Sequence, residues 1–124
     1  MKKSTNISSV PPSLIESEIE RLEQRHRRLL TKLADIGLVL RGSIALRLSR
    51  CGNPTCQCKA DPPKLHGPYY KWTRKVAGKT VNATLTPEQA AYFIDWNRNM
   101  RKLDRIVRLL QAIGLRASIL LREG

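Results

Sequence analysis

Apolar positions recur with helical spacing in two long stretches of this chain and alternate in a shorter stretch between them. Ile15, Ile19, Leu22, His26, Leu29, Leu33, Ile36 and Leu40 step by four and three residues, which is a heptad seam with one polar member. Ser13 stands three residues before Glu16, so a capping box is expected to open this helix. Acidic residues near the start, Glu16 to Glu23, and basic ones farther on, Arg25 to Lys32, suit the helix macrodipole. Gly37 interrupts the pattern and Gly42 closes it, so the expected helix spans 13–41. His26 reads as a polar residue that sets pairing register at a seam, not as a ligand or catalyst.

Between the helical stretches the period changes to two. Ser43 to Ser49 places Ile44, Leu46 and Leu48 on one side and Ala45, Arg47 and Ser49 on the other, which predicts a strand. Asp61-Pro62-Pro63 marks a loop. Tyr69 to Val76 and Thr80 to Leu85, joined by Ala77-Gly78, predict a β-hairpin. Thr86-Pro87-Glu88-Gln89 is the clearest helix start, with threonine at the cap, proline at the first helical position and glutamine at the third. Phe93, Trp96, Met100, Leu103, Val107 and Leu110 then carry a second seam, so a helix over 86–122 is expected.

Two matching seams joined by a compact segment fold back as an antiparallel pair. In that register Gly37 would lie near Trp96. The organisation expected is a mobile tail over 1–12, an N-terminal heptad helix over 13–41, a basic cysteine-rich β insert over 42–85 and a C-terminal helix over 86–122. Two helices alone make a thin core, so pairing of two copies through the heptad helices is expected as well.

All three cysteines, Cys51, Cys56 and Cys58, fall within eight positions of one another, on a turn built from Gly52, Asn53 and Pro54, and the next imidazole is His66. Thiolate and imidazole are the ligands zinc takes in closed four-coordinate sites, and three cysteines with one histidine complete a tetrahedron. A small β segment without a core of its own needs such a staple. The spacing departs from the commonest pattern, in which two residues separate each cysteine pair, so free thiols on a surface turn are the alternative. Asp61 is the weaker candidate for fourth ligand. A catalytic zinc would need an open position and a general base, and the segment offers no carboxylate except Asp61. The fold class is therefore α+β: two long antiparallel coiled-coil-like helices flanking a small, zinc-stapled, three-stranded insert.

Charge sharpens the picture. The 124 residues carry a formal charge of +13, which favours a polyanionic partner. Within 41–82 the cations are Arg41, Arg47, Arg50, Lys59, Lys64, Lys71, Arg74, Lys75 and Lys79, against Asp61 alone. Tyr69, Lys71, Thr73 and Lys75 share one strand face, expected to be exposed and basic; Tyr70, Trp72, Arg74 and Val76 share the other, expected to pack on the helices. Arg47, Arg50, Lys59, Lys64, Tyr69, Lys71, Arg74, Lys75 and Lys79 are the candidate nucleic-acid-binding residues, cations for phosphates and an aromatic for bases. The plainer alternative is that the aromatics are good strand residues and the lysines keep an edge soluble. A tyrosine nucleophile at Tyr69 or Tyr70 would need several activating groups that a chain this short hardly supplies.

No apolar run approaches the ~20 residues of a membrane span. Lys2 and Lys3 are followed by Ser4-Thr5-Asn6 with no apolar stretch, so no secretory signal is read. Three clustered cysteines suit a reducing compartment, which makes a cytoplasmic location the expectation.

At Gly42-Ser43, Arg50-Cys51-Gly52, Pro54, Cys56, Cys58, His66-Gly67-Pro68-Tyr69-Tyr70, Thr73-Arg74-Lys75 and Gly78-Lys79-Thr80 the sequence resembles a family of short prokaryotic proteins of unknown function. The resemblance implies the order helix, cysteine turn, hairpin, helix. It lends no catalytic residues. Its setting among mobile elements implies an accessory role in recombination or transposition.

The function expected is thus a small, non-enzymatic, zinc-binding nucleic-acid-binding protein. The alternative is a coiled-coil adaptor or regulator that binds a protein partner through its helices, with the zinc turn as a structural cap.

Overall fold

A computed structural model describes residues 12–123. It contains two helices and a three-stranded antiparallel sheet: α1 (Pro12–Leu33), β1 (Ser43–Ser49), a single 3-10 turn (Gln57–Lys59), β2 (His66–Val76), β3 (Lys79–Leu85) and α2 (Pro87–Glu123). The tail expected over 1–12 lies outside the described residues except for Pro12, which is already helical. Proline fits there because the first turn of a helix has no use for its missing N–H. Ser13 is consequently inside the first turn and not before it.

The chain forms two compact units, one made of α1 up to Ile36 with α2 from Arg101 onward, the other of Gly37–Met100. In the helical unit the seams meet in opposite order. Ile15 and Ile19 line a groove with Leu121, His26 with Ile113 and Ala117, and Leu29 and Ile36 with Ile106. Among the described residues of this unit, Leu22, Ile106 and Ile113 are buried. His26 is half-buried among these apolar neighbours, the position its place in the seam predicts.

α1 stops at Leu33, well short of the expected boundary at 41. The amides of Asp35 and Ile36 donate three residues back, to Lys32 and Leu33, tightening the last turn and ending the helix. Beyond Gly37 the backbone finds partners outside a helix. Leu40 N–H donates to the Trp96 carbonyl, Asn97 Nδ2 to the carbonyls of Leu40 and Gly42, and Asn99 Nδ2 to that of Leu38. Ile36 and Leu40 fit the heptad, but these external bonds satisfy the groups a continued helix would have paired internally. Gly37 accordingly faces Asn99, not Trp96: a Cβ there would lie 3.2 Å from Asn99 Nδ2.

α2 begins where the sequence predicts. Thr86 Oγ1 accepts from the Gln89 amide at 3.1 Å while Gln89 Oε1 accepts from the Thr86 amide at 2.9 Å, a reciprocal capping box.

In the sheet β2 is central. Ser43 opposes Thr73, Ile44 opposes Trp72 and Arg47 opposes Tyr69 on one flank; Tyr70 opposes Leu85 and Val76 opposes Lys79 on the other. Opposed residues share a face. Ile44, Tyr70, Trp72, Ala83 and Leu85 therefore form one side, and Arg47, Tyr69, Lys71, Thr73, Lys75 and Thr84 the other. The apolar side meets α2, where Trp72 lies edge-on to Phe93 (centroids 5.1 Å, planes at 78°) and Phe93 neighbours Trp96 at 5.6 Å. Leu46 and Leu48, which alternate in phase with Ile44, are each 55% exposed. β1 is an edge strand, and Leu48 falls at the register irregularity between Arg47 and Ser49.

Gly42 shows how closely the elements approach. Its φ is +109°, and a Cβ would come within 2.6 Å of both the Thr73 carbonyl oxygen and the Trp72 indole nitrogen. Only glycine fits.

Candidate metal centre

Cys51, Cys56 and Cys58 lie on the excursion between β1 and β2, and His66 is the first residue of β2. The excursion is shaped by its own side chains. Asn53 Oδ1 accepts from the amide of Thr55 at 3.0 Å and from its hydroxyl at 2.9 Å, an Asx turn that folds the chain back toward Cys56. Cys56 N–H donates to the Asn53 carbonyl and Lys59 N–H to the Cys56 carbonyl, so the 3-10 turn follows at once and carries Cys58 inward. Lys64 N–H then bonds the Gln57 carbonyl and closes the loop.

On the other side His66 is set by a bulge. Between the pairs Arg47–Tyr69 and Ser49–His66 β2 has one residue more than β1, at Gly67-Pro68. Gly67 has φ +109°, and a Cβ would meet the Tyr69 amide nitrogen at 2.8 Å and the Arg47 carbonyl at 3.0 Å. A larger residue would displace the imidazole beside it.

The outcome is one cluster. The sulfurs of Cys51, Cys56 and Cys58 and a ring nitrogen of His66 all lie within 4.8 Å of one another, and together they could hold a metal ion. Cys51 Sγ and Cys58 Sγ are 3.7 Å apart, and Cys56 Sγ is 3.3 Å from His66 Nε2. Cys58 is fully buried and the other three are half-buried. Asp61 is not in the cluster.

Backbone dipoles prepare the sulfurs for negative charge. The Asn53 amide, with help from the Cys56 side chain, holds the Cys51 thiol below its ordinary value. The amide of Cys51, which donates to Cys58 Sγ at 3.4 Å, does the same for Cys58. Cys56 differs. The Cys58 amide pulls it down, but the sulfurs of Cys51 and Cys58 together push it up, and it ends above the ordinary thiol value.

The nine candidate nucleic-acid contacts divide. Arg47, Tyr69, Lys71 and Lys75 share the outer sheet face, with Lys71 Nζ 5.8 Å from the Tyr69 ring centre and bonded to Thr84 Oγ1. Arg50 and Lys64 are exposed on the cysteine excursion, and Lys79 is exposed at the hairpin turn. Lys59 is engaged elsewhere: its ammonium donates to the carbonyls of Cys51 and Asn53, clamping the turn that carries the ligands. Arg74 lies on the opposite face, its guanidinium 3.9 Å from the Trp72 ring centre. The sequence signal for that stack was available, since residues two apart on a strand share a face. Nothing in the sequence singled out Lys59 as a clamp or Asn97 and Asn99 as anchors of the segment before β1.

No described helix is long and apolar enough to cross a membrane. The fold and cluster define a small α+β protein with a Cys3His cluster at the neck of its sheet. By the match of a family model over residues 19–91, this chain belongs to the family of the domain of unknown function DUF6788. The matched stretch contains all four cluster residues and the whole sheet. No curated protein and no solved structure matches the chain.

Proposed function

We propose that this protein is a non-enzymatic nucleic-acid-binding module stapled by a structural zinc ion at Cys51, Cys56, Cys58 and His66. Tetrahedral zinc, at about 2.3 Å from sulfur and about 2.0 Å from nitrogen, sets ligand edges of about 3.8 Å between sulfurs and about 3.5 Å between sulfur and nitrogen. The Cys51–Cys58 and Cys56–His66 spacings are 3.7 Å and 3.3 Å, and all four ligand atoms lie within 4.8 Å of one another. Four protein ligands leave no position for water, so the ion's work is to hold the excursion to β2, not to activate a substrate.

The observation that carries the binding role is the outer sheet face, where Tyr69, Lys71 and Lys75 stand in a row with Arg47 across from Tyr69. Lysines neutralise phosphates, and an exposed tyrosine offers a face to an unstacked base. The test is binding of a short fluorescent oligonucleotide by zinc-loaded protein across a salt series. Affinity that falls steeply with salt and collapses in Lys71→Glu/Lys75→Glu supports the reading; no binding at low salt removes it.

The exposed apolar side chains of the helical unit favour a second reading, a helix-mediated adaptor. Leu115 and Ile119, one helical turn apart on α2, are 62% and 39% exposed. Such a stripe suits pairing with a second copy or another helix. If Leu115→Asp abolishes self-association and function while the lysine reversals do neither, the adaptor reading holds.

A further inference from the structure

The β1–β2 ladder begins at the Ser43–Thr73 pair, and β2 runs on through Arg74 to Val76 with no β1 partner beside it. Facing that unpaired edge is the segment Leu40–Gly42. Between the two lies a notch of about 570 Å³ within the Gly37–Met100 unit. Its lining includes three cations, Arg41, Arg74 and Lys75, the hydroxyl of Thr80, and no acidic residue.

The aromatic wall of this notch is fixed at two points. Trp72 Nε1 donates to the Arg41 carbonyl at 3.0 Å, and the ring packs with Phe93 at a steep angle. Arg74 lies over that ring at 3.9 Å, and among the described residues no carboxylate pairs with it. A guanidinium resting on an aromatic face is ordered without spending its N–H donors, which stay in plane for two acceptor oxygens. The stacked Arg74 fork, ordered in advance beside a concave space whose lining carries two further cations, suits a tetrahedral oxyanion.

We propose that the notch takes a phosphate of a nucleic-acid backbone, gripped by Arg74 with Arg41 and Lys75 beside it. The inference rests on the nucleic-acid reading above and gives it an anchor point. Lys75 belongs both to the outer row and to the notch lining, so a strand anchored here continues along Lys71 and Tyr69.

The test follows the Trp72 indole N–H resonance of zinc-loaded full-length protein during titration with a short oligothymidylate at low salt, with inorganic phosphate titrated separately. The indole resonance should shift with the oligonucleotide. Arg74→Lys, which keeps the charge but loses the stacked fork, should weaken binding about tenfold. Lys32→Gln, on α1, should change it less than about twofold. Binding that leaves the indole unmoved, or Arg74→Lys binding as tightly as wild type, overturns the notch while the outer-face reading stands. Inorganic phosphate reproducing the shift at the same concentration also overturns it, in favour of a free-anion site. Absence of any oligonucleotide binding overturns both. The indole measurement on wild type stands whether or not the variant folds.

Discussion

Asn97 donates through its side-chain amide to the Leu40 carbonyl at 3.0 Å, and the same nitrogen reaches the Gly42 carbonyl at 2.8 Å. It is 7% exposed, and both amide hydrogens have a use. Truncation strands two carbonyls, so Asn97→Ala should lower stability by about 2 kcal/mol. Asn97→Asp should cost more, because one of its oxygens would replace the donor opposite those carbonyls. Urea unfolding of the metal-loaded protein measures both, and an aspartate variant as stable as wild type would contradict the bonding described.

Two glycines should respond in opposite directions to alanine. At Gly42 the backbone is left-handed and the new methyl would strike Thr73 and Trp72, so Gly42→Ala should destabilise by about 3 kcal/mol or more. Gly114 lies inside α2 with nothing within 4 Å of a Cβ. Gly114→Ala should stabilise by about 1 kcal/mol through helix propensity. Thermal melts of the two variants, run together, check the pair.

Metal content supplies a third expectation. Protein purified without added metal should carry one equivalent of zinc, and Cys56→Ser should lose it. Chelation should lower the melting midpoint by more than about 10 °C, since binding free energy of a structural ion is folding free energy. Release should occur as pH falls and not as it rises, because protons compete for the thiolates. The depressed thiols of Cys51 and Cys58 favour retention as pH falls, and the raised thiol of Cys56 opposes it. A zinc-specific dye followed through an acid titration reports the sign directly.

Lys59 stands apart from the other basic residues expected to contact nucleic acid. Because its ammonium is held by the Cys51 and Asn53 carbonyls, Lys59→Met should weaken metal affinity, by about tenfold on the scale of other residues that support ligands. Oligonucleotide affinity measured with saturating zinc should stay within about twofold of wild type. The reverse pattern would return Lys59 to the binding surface.

Where local chemistry decides the structure, the sequence is easy to read. Thr86 and Gln89 announce their helix because each caps the other, and β1 keeps its expected limits because the alternation of Ser43–Ser49 is unbroken. The cysteines and His66 converge as their residue types suggest. Long-range partners are what stay hidden. Nothing near Ile36 or Leu40 reveals that Asn97 and Asn99, some sixty positions on, supply the hydrogen bonds that let the chain leave the helix early. Lys59 reads as one more surface cation because its carbonyl partners depend on a turn that only forms in three dimensions. Leu46 and Leu48 alternate correctly, yet an edge strand covers only part of its length.

An ion held by the four cluster residues would tie the chain at the neck of the excursion between β1 and β2, leaving the bow from Ala60 to Pro63 outside the knot. Entropy charges little for lengthening a bow already tied at its neck. Insertions there should leave the sheet in register, whereas one residue added between Cys56 and Cys58 would pull the knot open. The stretch to re-engineer is thus the slack beyond the tie.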